Sequence, residues 1–239
     1  RVGSVGLGSA LVIACVRPAM TEVAATREVP SPSPSSAAAE PATVKVPTVL
    51  NKLKKWGDYG SFGTSIEVDD VKLLPMKTPL TERILRDWNY EDPPKHVHTV
   101  GGFLAAQSSE GRRVGLIVDL CNHECLYQDE IPAEVRYEHI WCVAKEVPDD
   151  KDIQNFASVV DSFVERNRGL YVAVHCSYGF NRTGFMICSY LINNRGVTIE
   201  DAVRWFAESR APGIKHEKFL VELRNRYGHL PQNQNLAAG

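Results

Sequence analysis

Apolar residues fall into two kinds of pattern along most of the chain. Segments 114–120 (VGLIVDL) and 170–176 (LYVAVHC) are nearly unbroken apolar runs, as expected of strands buried on both faces. Segment 71–80 (VKLLPMKTPL) reads as a shorter strand with proline breaks, and 137–143 (YEHIWCV) as another strand. Between them the period becomes helical. Ile153, Phe156, Val160, Phe163 and Val164 recur at the spacing of one helix face. That helix starts at Pro148, with Asp149 and Asp150 near its positive end, and Gly169 stops it after Asn167. Helices are also predicted over 81–88 with Thr81 as N-cap, over 97–109 closed by Gly111, and from Phe185 to the region of 193–196. Two more cover 199–209 (IEDAVRWFAES, capped by Thr198) and 215–228 (KHEKFLVELRNRYG, closed by Gly228). Alternation of strands and helices predicts an α/β fold with a central, mostly parallel sheet flanked by helices.

The pattern fails at both ends. Residues 24–48 are dense in Pro, Ser and Ala without an apolar period, so 1–48 are expected to be a disordered leader and linker. The ordered domain is expected over 49–230, with a frayed tail at 231–239. Residues 1–16 are small and apolar, ending in LVIACV, too short for a membrane span. An unstructured leader with a start at Met20 is one reading, and organelle targeting by residues 1–25 is another. Trp56, Tyr59 and Phe62 are expected to anchor a flap against the domain.

Composition sharpens this only slightly. The 239 residues are 44% hydrophobic and 23% charged with net charge -2, so no bulk basic field announces nucleic acid or a membrane. A polyanion would have to be met by a local basic pocket. The six cysteines, at 15, 121, 125, 142, 176 and 188, show no disulfide framework and fit free thiols in an intracellular protein. His96 and His98 are expected at the surface. Cys121, His123 and Cys125 lack the paired spacing of a zinc site and are read as a strand-end loop facing the catalytic centre. No metal or cofactor is expected.

The chemistry concentrates where the run 170–176 ends. Cys176 is followed by Ser177, Tyr178, Gly179, Phe180 and Asn181, and then by Arg182, Thr183 and Gly184. A strand–loop–helix unit aims successive N–H groups and the positive helix end at one point, where a phosphoryl group would sit. Arg182 would clamp two of its oxygens, and Cys176 would lie beneath it as a thiolate nucleophile. Thr183 would donate its hydroxyl to the sulfur, and His175 would be a buried support whose ring bonds the loop. A general acid should lie in the loop after 137–143, where Glu146 is the one possible donor, since Asp149 and Asp150 look like helix caps. A phosphate leaving group, with a second pKa near 6, would remove the need for that acid.

The run His175-Cys176-Ser177-Tyr178-Gly179-Phe180-Asn181-Arg182-Thr183-Gly184 resembles the HCxxGxNRTG signature of the cysteine-dependent RNA 5′-triphosphatases, a branch of the dual-specificity phosphatase superfamily. KTPL (77–80), LIVDL (116–120) with Asp119, Asn122 and Tyr127, VPDD (147–150) and 210–228 are similar too. The resemblance implies a cysteine-phosphatase fold and assigns the nucleophile to Cys176, the phosphate clamp to Arg182 and the loop hydroxyl to Thr183. Asn181 would brace the loop. Cys125 stands where that branch usually has arginine, and Ala144-Lys145 replaces a Gly-His pair, so Lys145 would supply a charge to outer phosphates. The implied reaction removes terminal phosphate from a triphosphate or diphosphate RNA 5′ end, in the nucleus. A dual-specificity or tyrosine protein phosphatase acting on a phosphoprotein is the alternative, and a phosphate-binding docking module the non-enzymatic one. No Lys-x-Asp-Gly motif occurs, so cap addition would need a guanylyltransferase partner or a further domain.

Overall fold

The computed structural model describes residues 47, 49–87 and 93–230. Five strands build one sheet: β1 (Ile66–Val68), β2 (Val71–Lys77), β3 (Val114–Asp119), β4 (Arg136–His139) and β5 (Tyr171–Cys176). Their order across the sheet is β1-β2-β5-β3-β4. All neighbours are parallel except β1, which pairs antiparallel with β2 at the edge. The helices are α1 (Leu53–Asp58), α2 (Glu82–Asp87), α3 (Val100–Ser109), α4 (Asp150–Arg166), α5 (Asn181–Arg195), α6 (Ile199–Ser209) and α7 (Glu217–Tyr227). No helix among the described residues is long and apolar enough to cross a membrane. Apart from Pro47, the predicted leader and tail lie outside the described residues, as does Trp88 of the predicted helix 81–88.

The central strands read as continuous apolar runs because both faces are covered. Val172, Val174 and Cys176 of β5 face one core with Leu116 and Val118, into which α4 to α7 pack. Ala173 of β5 faces the second core with Ile117, Leu74 and Met76, covered by Phe103 of α3. Pro75 survives within β2 because its carbonyl accepts from the Gly63 N–H at 2.7 Å, on the side beyond the end of β1. The missing N–H faces that same side, so no ladder bond is lost.

The helices form where side chains mark their starts. Asp149 caps α4 by accepting from the Asp152 N–H at 2.8 Å, and the five periodic residues from Ile153 to Val164 are its buried face. Thr198 accepts from Asp201 N–H at 3.0 Å, and Thr81 accepts from Ile84 N–H at 3.2 Å. α5 is buried all round from Arg182 to Ile192, which explains its lack of an amphipathic stripe.

Four expectations need correction. The strand predicted over 137–143 ends at His139, because its partner β3 ends at Asp119 and leaves Trp141 and Val143 nothing to pair with. The helix predicted from Phe185 begins at Asn181. The helix predicted from Val97 begins at Val100, with Thr99 accepting from Gly102 N–H at 3.1 Å. His98 is buried, its ring packed against Phe62 and Phe103, while His96 is exposed as expected. The edge strand β1 was not anticipated.

Two glycines test the helix packing. A Cβ at Gly184 would lie 2.5 Å from Phe206 and 2.6 Å from Ile214, so Gly184→Ala should cost about 1–3 kcal/mol by forcing α5 from α6. A Cβ at Gly101 meets nothing within 4 Å, so Gly101→Ala should instead stabilise by about 0.4–1 kcal/mol. Urea unfolding midpoints of the two variants should move in opposite directions.

Candidate active site

Parallel strands bring their carboxyl ends to one edge of the sheet, and the residues singled out in sequence collect there. Lys77 of β2 is in register with Cys176 of β5, and Asp119 of β3 with His175. The chain leaves β5 through Ser177–Phe180 and enters α5 with no side chain capping its first turn. The first-turn N–H groups and the helix dipole are thereby free to face an anion. Gly179 makes the turn possible: its φ is 73°, and a Cβ there would stand 2.1 Å from the Met76 carbonyl oxygen.

Cys176 lies buried at the floor of a cavity of about 300 Å³. Ser177, Tyr178, Phe180, Asn181, Arg182 and Lys145 also line it. Burial alone would push the Cys176 thiol up. The Arg182 charge, the Thr183 hydroxyl and the N–H groups of Thr183 and Tyr178 outweigh burial and hold it below its ordinary value of 9.0. Arg182 is itself buried, and no carboxylate among the described residues pairs with it. Its Nη1 donates to the carbonyls of Leu120 at 2.7 Å and Cys142 at 2.8 Å, and its Nη2 to Ser177 Oγ at 3.1 Å. The guanidinium is thus locked by its far edge, leaving Nε and the second Nη2 hydrogen for an anion.

The supporting residues form a dense network. His175 is fully buried, and its ring Nε2 meets the Tyr127 hydroxyl rather than the loop, which corrects the expected partner. Asp119 accepts from Cys121 N–H at 2.8 Å and from the Tyr137 hydroxyl at 3.0 Å, and its Oδ1 stands 3.6 Å from His175 Nδ1. Asp119, Cys121 and His175 place ligand atoms within 4.8 Å of one another. His123 turns to the Glu124 carbonyl instead, and burial pushes the Cys125 thiol up to about 11. Asn181 Oδ1 accepts from the N–H groups of Lys215 at 2.8 Å and His216 at 2.9 Å, tying the start of α5 to the segment before α7.

Glu146 is not at the site. It is exposed, 3.7 Å from Lys218, while Lys145 at φ 66° turns to the cavity. No carboxylate is found among the residues that line the cavity. Its rim instead carries Lys52, Lys55, Lys145 and Lys215, with Tyr59 packed edge-on against Tyr178 and Phe180 at 5.4 and 5.1 Å. Lys215 Nζ donates to Tyr59 Oη at 2.9 Å. Sequence reasoning missed Lys52, Lys55, Lys215 and His216 and took Tyr59 only as an anchor. The lysines flanking Trp56 and the run GIKHEKF were the available signals.

Two further buried cations order the backbone near the site, Arg210 at the loop itself and Lys77 at the segments beside it. Arg210 donates to the carbonyls of Tyr178 at 3.1 Å, Gly179 at 3.4 Å and Gly60 at 2.8 Å, and burial pushes its pKa down to about 10. Lys77 donates to the carbonyls of Trp56, Tyr59 and His96 at 2.7–2.8 Å, under the Trp56 ring. Burial first, and the Arg210 charge second, push Lys77 down to about 7.

A nucleophilic thiol, a phosphate-shaped loop and a locked arginine define a cysteine-dependent phosphatase. The match over residues 104–227 to the family described as "Dual specificity phosphatase, catalytic domain" shows that the chain belongs to that family. It is 36% identical over 160 residues to the mRNA-capping enzyme of Danio rerio, covering 66% of this chain and 26% of that protein. It is 27% identical over 188 residues to the RNA/RNP complex-1-interacting phosphatase of Mus musculus, covering 77% of this chain and 56% of that one. A tyrosine-protein phosphatase of Autographa californica nuclear polyhedrosis virus is 29% identical over 171 residues, 71% of this chain and 96% of its own. The chain thus spans about a quarter of the capping enzyme and just over half of the mouse phosphatase.

The ionisation of Cys176 can be followed by alkylation. Carboxymethylation of the Cys176 peptide should rise with pH through a midpoint below 9.0, because a lowered pKa means thiolate at lower pH. Arg182→Met and Thr183→Val should each move that midpoint upward in mass-spectrometric rate profiles. Unmoved midpoints would refute the electrostatic account.

Proposed function

We propose that this domain removes terminal phosphate from RNA 5′ ends through a phosphocysteine intermediate. The Cys176 thiolate attacks the terminal phosphorus, the bond to the bridging oxygen breaks, and the shortened 5′ end leaves with the electron pair. Water then displaces the cysteine, with the Thr183 hydroxyl easing departure of the thiolate. Ser177 to Asn181 and Arg182 hold the equatorial oxygens, where charge sits in the transition state. His175 and Asp119 support the loop from the core.

One observation carries this reading: the cavity is lined by four lysines and no carboxylate. An alkoxide or phenoxide needs protonation on leaving, and even tyrosine has a pKa near 10. A phosphate leaves with a second pKa near 6 and needs no acid. Lys52, Lys55, Lys145 and Lys215 supply counter-charge for the phosphates that stay on the RNA. The similarity to an mRNA-capping enzyme and to an RNA/RNP complex-1-interacting phosphatase supports an RNA substrate, for which the nucleus is the proposed site of action. A guanylyltransferase, as partner or further domain, would complete capping.

A protein-phosphatase reading has its own support. Tyr59, Phe180 and Phe219 give the cavity aromatic walls that could hold a phosphotyrosine ring. The substrates separate the two. Phosphate release from 5′-triphosphorylated RNA should exceed that from a phosphotyrosine peptide, survive chelator and vanish in Cys176→Ser. Faster turnover of the peptide, or metal dependence, would sink the RNA reading.

A further inference from the structure

The loop after β4 carries a feature that the phosphate chemistry does not use. Trp141 is 52% exposed and Val143 61% exposed, on either side of fully buried Cys142. The indole is not loose. It stacks on the His139 ring at 4.2 Å and 25°, and His139 Nε2 is held by the Cys121 carbonyl at 2.9 Å. Tyr137, His139 and Trp141 alternate along one face of the chain, each ring against the next, from the Tyr127 core outward. Trp141 is the outermost ring of that ladder.

The platform lies close along the chain to the cavity wall. The next carbonyl, that of Cys142, holds Arg182 at 2.8 Å, and Ala144 and Lys145 line the cavity wall. Only Cys142 and Val143 separate Trp141 from Ala144, a reach of at most about 11 Å. We propose that Trp141, backed by His139, is a stacking platform for a base near the 5′ end of the single-stranded RNA whose phosphates enter the cavity. This rests on the RNA 5′-end reading above. A flat, pre-stacked indole beside a lysine-lined anion site is the combination that single-stranded nucleic acid uses, because every base offers a π-face. A protein partner would need an apolar patch approaching 800 Å², and here two exposed side chains flank a buried one.

The test compares the full chain with Trp141→Ala and Trp141→Phe on 5′-triphosphorylated oligoribonucleotide, inorganic tripolyphosphate and a phosphotyrosine peptide. Base stacking is worth about 1–3 kcal/mol per base on alanine substitution, so Trp141→Ala should raise KM for the RNA about fivefold or more. Its kcat and its rate on tripolyphosphate should stay unchanged, and Trp141→Phe should recover most of the loss. Fluorescence anisotropy of 3′-labelled triphosphorylated RNA on Cys176→Ser, with and without Trp141→Ala, should show the same shift in Kd. An unchanged KM on RNA, an equal loss on tripolyphosphate, or a loss confined to the peptide would overturn the platform while leaving the 5′-end reading intact. If the wild-type chain releases no phosphate from RNA, that reading fails alone, and the anisotropy decides the platform: a Trp141-dependent Kd keeps it, and none removes it.

Discussion

The anchoring of Arg182 is the constraint on which the site depends. A guanidinium buried to 6% exposure with no carboxylate partner among the described residues is expensive unless its hydrogens are met. Carbonyls from the end of β3 and the loop after β4 meet two of them, and Ser177 meets a third. These contacts satisfy the hydrogens without neutralising the charge. The compensating anion is therefore the Cys176 thiolate, or the phosphate above it, and a positive field is kept at the floor of the cavity. A carboxylate in the place of either carbonyl would have satisfied Arg182 and lost that field.

The same device recurs around the site. Among the described residues, Arg210 and Lys77 are buried and hydrogen-bonded to carbonyls, three for each. Arg210 pulls the Tyr178 and Gly179 carbonyls outward, and a peptide whose carbonyl points out turns the following N–H inward. Lys77 ties the segment from Trp56 to Tyr59 to the end of β2, adjacent to β5, which sets Tyr59 on the cavity wall and Lys55 on its rim. Structural cations thus do two tasks: they order irregular backbone, and they bias the local field toward anions.

How much of this was legible followed from how local each feature is. Cys176, Arg182 and Thr183 lie within one turn and one strand end, so their spacing fixed their mutual geometry before any fold was known. The periodic face of α4 was legible for the same reason. The lysine rim was not, because Lys52 and Lys215 are brought together only by the long-range packing of α1 and the segment before α7. His98 was misplaced because surface is the default for a histidine with no ligand set around it, while the pairing of its carbonyl with the Leu80 N–H draws it inward. Strand propensity over 137–143 was real, but a strand ends where its neighbour ends. Glu146 had the right position in sequence, and a left-handed residue at Lys145 exchanged the side chain that reaches the cavity.

Floor and rim divide the task by burial. The floor charges are dry and fixed, so each acts strongly on the few ångströms around the phosphorus and governs the chemical step. The rim lysines are exposed, where water and salt screen each one heavily. Singly they contribute little. On the proposed RNA 5′-end reading, four around one opening would act on the same polyanion, so their sum would favour substrates with several phosphates over those with one, in capture and not in bond cleavage. On that reading, substrate choice would reside in side chains scattered far along the chain, while the reaction would reside in a contiguous loop.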